Sequence, residues 1–150
     1  MPPTPIAVRL MTAADAPAVA ILSIQLGYPL TAEVVSERLA SVFLEPAHGC
    51  FVAEKENTVT GWVHIYGVQM LISPCFFAEI GGLVVDANAR RQGIGRALIA
   101  HAEAWAAEHG YAEVRLRSGL HRTEAHEFYQ GIGYELAKTS HMFRRRVTSE

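Results

Sequence analysis

Cysteine is scarce in this chain: Cys50 and Cys75 are the 2 in 150 residues. They lie far apart in apolar surroundings, which argues against a disulfide framework and for two reduced thiols acting as small hydrophobes. No run of about 20 apolar residues could span a bilayer. Residues 1–12 hold three prolines and no long apolar core, so no secretion signal is expected and the chain reads as soluble and cytoplasmic. A net charge of -2 with 19% charged residues gives no electrostatic case for nucleic acid as the main partner. The run Arg144-Arg145-Arg146 then reads as the solvated end of a strand. Seven histidines are present, including His101, His109, His121, His126 and His141, but none has the HExxH or close-paired Cys/His spacing of a zinc site, so no metal is expected. Internal repeats, low-complexity tracts and linkers are absent as well. What remains is a half-apolar chain of 150 residues, one domain over 1–150 by size and able to bury about 70% of its unfolded surface.

The densest information lies in residues 80–108. An apolar run, Ile80-Gly81-Gly82-Leu83-Val84-Val85, leads to Arg90-Arg91-Gln92-Gly93-Ile94-Gly95-Arg96 and then to a long helical pattern. A strand, a basic glycine loop and a helix start in that order make a phosphate site. The first N–H groups of a helix lack intrahelical partners and carry about half a positive charge. Gly93 and Gly95 allow close approach to the main chain and the φ values of an anion nest, and the arginines add charge. The competing reading is a loosened strand-to-helix turn with a solvated basic face. A dinucleotide fingerprint fits poorly, because the third glycine is missing and Asp86 to Gln92 intervene between strand and turn. About 20 residues on stand Arg115 and Arg117, with no acidic residue to hold a ribose. The Walker lysine is missing too, since Arg96 and Ala97 follow Gly95.

Arg90-x-x-Gly93-x-Gly95 after a valine-rich strand resembles the acetyl-CoA pyrophosphate loop of the GNAT N-acetyltransferase superfamily. A second block, Ala125-x-x-Phe128-Tyr129-x-x-x-Gly133-Tyr134, resembles that family's downstream pattern and follows about 30 residues later. The resemblance covers residues 77–134. Three loop positions depart from the common pattern, Ala87, Ala89 and Arg91, yet none removes a backbone donor. Arg122 stands where the second block often opens with asparagine.

The resemblance implies an α/β fold: a mixed, mostly antiparallel sheet of six or seven strands flanked by about four helices. It implies acetyl-CoA as co-substrate, held by Arg90, Arg91, Gln92, Gly93, Ile94, Gly95 and Arg96. Main-chain groups of Leu83, Val84 and Val85 would pair with the pantetheine amides as an added strand. Phe128 joins that cofactor-binding set, and a bulge at Gly81-Gly82 would help the sheet splay there. The partner would be a small-molecule or peptide amine, and sheet edges in such domains often support homodimers.

The chemistry can be argued from residues. An amine with a pKa near 10 is neutral in only about one molecule in a thousand at pH 7, so a base beside it helps. Glu79 lies in the apolar strand before the loop, where such surroundings make a carboxylate a better base. Its alternative is the solvent face of the strand. The lysine-acetylating branch of the resembled family keeps a glutamate at this distance from the glycines. Tyr129 is the acid candidate, because a phenol stays protonated at pH 7 and can supply a thiolate with a proton. The split expected on that helix is Phe128 packed inward and Tyr129 at the cleft, against the alternative that both are core. Tyr28, in Gly27-Tyr28-Pro29, is the residue expected to contact the acceptor, with His64 and His121 as further candidates and Trp62 and Tyr66 as core or cleft. Backbone near Leu83 would polarise the thioester oxygen. The non-catalytic alternative is an acyl-CoA-binding or sensing module on the same fold.

Local patterns complete the expectation. Residues 6–10 read as a strand, Thr12-x-x-Asp15 as a capping box, and Thr31 as the cap of a helix with stripe Val35, Leu39, Val42. Residues 50–54 and 59–66 read as a hairpin around Lys55-Glu56-Asn57, and 76–85 as the next strand. A helix with Ile94, Leu98, Ala102 and Trp105 on one face ends at Gly110, 112–117 is a half-exposed strand, 123–130 a short helix, and 134–146 two closing strands.

Overall fold

Alternation along residues 58–68 decides how the sheet is covered. Gly61, Val63 and Ile65 point to one side while Trp62, His64 and Tyr66 point to the other, since successive side chains of a strand take opposite faces. The computed structural model describes residues 5–120 and 122–149, in two compact units within Met1–Arg117 and Ser118–Glu150.

The first unit holds one five-stranded sheet in sequence order: β1 (Ala7–Leu10), β2 (His48–Lys55), β3 (Thr58–Val68), β4 (Phe77–Val85) and β5 (Glu113–Leu116). All neighbours are antiparallel except β4 and β5, which run parallel. The β2–β3 hairpin turns at Glu56 and Asn57, both at positive φ (54° and 62°), as the polar turn predicts. Helices α1 (Ala16–Gln25), α2 (Ala32–Val42) and α3 (Ile94–Glu108) complete the unit.

α3 packs on the Val63/Ile65 face. A Cβ on Gly61 would meet Val84 O at 2.8 Å and Leu98 Cδ1 at 3.0 Å, so a missing side chain lets the helix sit this close. Val63, Ile65, Leu98 and Ile99 are fully buried there. On the opposite face α1 and α2 gather Met11, Val19, Ala20, Val35 and Leu39 over Cys50 and Val52, with Trp62 packed against them. Burial pushes the Cys50 thiol up to about 11, which leaves it inert as the sequence implies.

Caps act where the sequence places them. Val34 N–H donates to Thr31 Oγ1 at 3.2 Å, and Thr12 N–H donates to Asp15 Oδ2 at 2.7 Å. Asp15 does more than cap: Arg9 of β1 donates to both its oxygens at 2.8 Å and to Glu54 of β2 at 2.6 Å. The Arg9 hydrogen bonds hold the buried Asp15 carboxyl below its ordinary value of 3.8, against the opposing effect of burial.

The second unit contains α4 (Thr123–Gly131), after which Tyr134 N–H returns to Tyr129 O at 3.0 Å. The two closing strands expected over 134–146 are not formed. Residues 135–149 are exposed and carry no strand, so the described residues hold five strands rather than six or seven. Residue type supplies only the propensity; a strand exists when a neighbour takes up its backbone groups.

Two stability measurements check this packing. Leu98→Ala is expected to cost about 3 kcal/mol in urea unfolding by opening a cavity under the sheet, whereas Ile21→Ala on the exposed side of α1 stays within about 0.5 kcal/mol. Asp15→Asn is expected to cost about 1–2 kcal/mol at pH 7. Because the folded state depresses this carboxyl, its stabilisation is present above the ordinary 3.8 and lost as pH falls through the lower folded value, so the deficit should close in acid.

Candidate functional site

The glycine loop is built as an anion cradle. β4 runs into Asp86, and a 3-10 turn (Ala87–Ala89) follows, fastened by Asp86 Oδ1 accepting from Asn88 N–H at 3.0 Å. Gln25, the last residue of α1, accepts from Ala87 N–H at 2.8 Å and donates to Asp86 Oδ1 at 3.3 Å. Lys55 Nζ donates to Gln92 Oε1 at 2.5 Å. Arg91 and Gly93 both take positive φ, 65° and 82°, and Gly93 caps α3. A Cβ on Gly93 would meet nothing within 4 Å, so the glycine serves the left-handed backbone and not a crowded neighbour. The first helical bond runs from Ala97 N–H to Gly93 O at 3.0 Å, which leaves the N–H groups of Ile94, Gly95 and Arg96 without helical partners. Arg90, Arg91, Gln92 and Arg96 are exposed around them, and no acidic residue occupies the first turn. Ile94 contributes main chain only, since its side chain is buried under the sheet.

Beside this cradle β4 has a free margin. β5 pairs only with its first half, Phe77↔Glu113 through Ile80↔Leu116. Leu83, Val84 and Val85 pair with Val63, Trp62 and Gly61 of β3 and with no strand on the other side among the described residues. The β3–β4 register shifts between His64 and Ile65, where Gly81 is left without a partner, so the bulge expected at Gly81-Gly82 is present.

Glu79 lies in the middle of a row of facing residues. His48 of β2, Tyr66 of β3, Glu79 of β4 and Arg115 of β5 are successive register partners. Tyr66 Oη donates to Glu79 Oε2 at 2.8 Å, and Arg117 Nε donates to Oε1 at 3.2 Å. The carboxylate side chain is 17% exposed. It therefore neither faces open solvent nor sits in the apolar setting expected from Phe76-Phe77-Ala78; two polar neighbours hold it, Tyr66 from β3 and Arg117 just past the end of β5. Arg115 lies 3.7 Å above the Phe77 ring centroid and is paired with Glu113 at 2.7 Å. Tyr66 was legible only as core or cleft. The signal was present in the alternation Trp62-x-His64-x-Tyr66, but the partner of Tyr66 is set by register.

The histidines divide by environment. His48 Nδ1 and His64 Nε2 share a hydrogen bond of 2.9 Å, and both rings flank Tyr66. Burial, with His48 adding to it, pushes His64 down to about 4, so it is neutral at pH 7. His101 packs edge-on against Phe51, and His109 and His126 bond to the main chain at Trp105 and Gly119. Among the described residues no group of three or more His, Cys, Asp or Glu could hold a metal ion. His121 lies outside the described residues. The indole N–H of Trp62, on the His64/Tyr66 face, is buried without a partner. Tyr28 is 59% exposed in the loop after α1.

In the second unit the inward packing expected of Phe128 on α4 is not found. Phe128 is the exposed aromatic, at 37%, and Tyr129 is half-buried, edge-on to Phe128 and Tyr134. The 100° offset between neighbours on a helix separates the two rings but does not say which one turns inward. Burial pushes the Tyr129 phenol above its ordinary value of 10.0, with Arg122 opposing, so it carries its proton at neutral pH.

Known proteins resemble this chain in sequence and in fold. The model of the acetyltransferase (GNAT) family matches residues 18–134. An N-acetyltransferase of Bacillus subtilis (strain 168), YhdJ, itself uncharacterized, is 30% identical over 128 residues, covering 80% of this chain and 89% of that protein. N-acetyltransferase 8 of Homo sapiens is 34% identical over 102 residues, which span 67% of this chain and 44% of the human protein. The structure of AAC(6')-Iy in complex with the bisubstrate analog CoA-S-monomethyl-acetylneamine superposes with a TM-score of 0.85 at 17% identity, over 95% of this chain and 99% of that one. That likeness shows the fold, an α/β GNAT fold with, among the described residues, a five-stranded mixed sheet and four α-helices. The chain belongs to the acetyltransferase (GNAT) family and is an enzyme of the N-acetyltransferase class.

Proposed function

We propose that this protein transfers an acetyl group from acetyl-CoA to a primary amine by direct transfer in a ternary complex. The observation that carries the reading is the juxtaposition of the cradle with the free margin of β4. Three helix-start N–H groups, a left-handed Gly93 and four exposed polar or cationic side chains suit a pyrophosphate, and unpaired main chain at Leu83–Val85 suits the amides of a pantetheine arm. A structural neighbour bound to a CoA-containing analog supports the same ligand. Acetyl-CoA, when bound, supplies the acetyl thioester.

The residues of the chain do the rest in this reading. Glu79 takes the amine proton, directly or through water, and the two donors that hold its carboxylate leave lone pairs on both oxygens. Main chain near Leu83 polarises the thioester oxygen. Tyr129, whose phenol keeps its proton at neutral pH, gives that proton to the departing sulfur. The domain extends over the whole of 1–150, a reading supported by a family match that begins in the first compact unit and reaches residue 134 of the second. The acceptor is a small-molecule or peptide amine, with Tyr28 among its contacts. The protein acts in the cytoplasm and without a metal, and a homodimer through a sheet edge belongs to the same reading.

Calorimetric titration of acetyl-CoA beside NADH and ATP tests the ligand. Micromolar binding of acetyl-CoA alone is expected, and its absence would overturn the reading. With a panel of primary amines in a free-thiol assay, Glu79→Gln should lower turnover about 100-fold at pH 7 and much less as pH approaches the amine's own value near 10. An unchanged pH profile would remove Glu79 from the mechanism.

A further inference from the structure

A carboxylate that accepts a proton during turnover must present a lone pair along one direction, and a glutamate on a strand has three side-chain torsions with which to lose it. Two groups hold Glu79, and they are not equal. Arg117 reaches Oε1 at 3.2 Å from a side chain that is 74% exposed. An ion pair of that kind contributes little, and salt screens it further. Tyr66 reaches Oε2 at 2.8 Å from a half-buried position.

The Tyr66 ring is itself fixed. It stacks on His48, with centroids 5.5 Å apart and planes at 29°, and His64 tilts against it at 5.3 Å. The His48–His64 hydrogen bond ties those two rings together. Gly81 gives the ring its room, because a Cβ there would stand 2.6 Å from Tyr66 Cε1. Burial and the Glu79 carboxylate push the Tyr66 phenol up to about 12, so the hydroxyl remains a donor throughout the neutral range. The bulge at Gly81, the histidine pair and the phenol thus form one support for a single carboxylate oxygen.

We propose that Tyr66 is the positioning residue for Glu79: its hydroxyl, aimed by His48, His64 and the bare backbone of Gly81, fixes the plane of the carboxylate that receives the amine proton. Tyr66 itself neither gains nor loses a proton in turnover. This inference rests on the reading of Glu79 as the base. It assigns Trp62-x-His64-x-Tyr66 a purpose beyond core packing, since the same alternation that covers α1 and α2 at Trp62 supports the site at Tyr66.

The test compares Tyr66→Phe, Glu79→Gln and the double variant with acetyl-CoA and the fastest amine of the panel. Tyr66→Phe keeps the ring and removes only the donor, so it should lower kcat about tenfold while leaving KM for acetyl-CoA and the melting temperature unchanged. In the Glu79→Gln background the same change should have no further effect, because residues that act as a unit are not additive. Full kcat in Tyr66→Phe, or a tenfold loss that persists in the Glu79→Gln background, would overturn the positioning role alone. Full activity of Glu79→Gln by itself would overturn the parent reading and this one with it.

Discussion

The ladder between β3 and β4 is the constraint on which the rest of this structure depends. It is antiparallel over most of both strands and slips once, between His64 and Ile65, at the point where Gly81 has no partner. On one side of the slip, Tyr66 faces Glu79; on the other, Gly61, Trp62 and Val63 face Val85, Val84 and Leu83. Because side chains alternate with period 2, a further slip of one residue would carry Glu79 to the α3 face and Ile80 to the polar face. The hydrophobic packing of Val63, Ile65 and Leu98 opposes such a slip, so core and site are specified by the same pairing.

Electrostatics is arranged around this ladder with little buried charge. The cationic groups of the glycine loop are exposed, and the helix start they surround supplies its donors from main chain, which needs no counter-ion. Asp15 is the exception, a buried carboxylate that Arg9 satisfies on both oxygens. It lies at the junction of β1 with α1, where it joins the first strand to the helix that ends at Gln25. Gln25 in turn grips the start of the glycine loop, so the loop is anchored to α1 by side-chain amide geometry and to β2 by Lys55.

Much of this was legible in residue order. The hairpin around Glu56 and Asn57, the caps at Thr12 and Thr31 and the helix from Ile94 rest on local chemistry, that is turn conformations, side-chain oxygens and 3.6-residue periodicity, while the bulge at Gly81 was implied by the family resemblance. Glycine loop and downstream block together pointed to the family that the wider comparison shows. Readings that depended on a neighbour fared worse. Residues 134–146, read as two strands, form none, Glu79 has polar partners where apolar surroundings were expected, and Phe128 is exposed where inward packing was expected.

Sequence alone determined the order of elements up to the helix that ends at Gly131, the place of the glycine loop at a helix start and the identity of the titratable groups, because those follow from interactions within a few residues along the chain. Tertiary structure decided what those groups touch. Tyr66 and Glu79 are 13 positions apart, Arg117 and Glu79 are 38 apart, and Gln25 and Asp86 are 61 apart. No local propensity encodes such distances. They are set by strand register and helix docking, which minimise the free energy of the whole packed sheet and so exist only once it has folded.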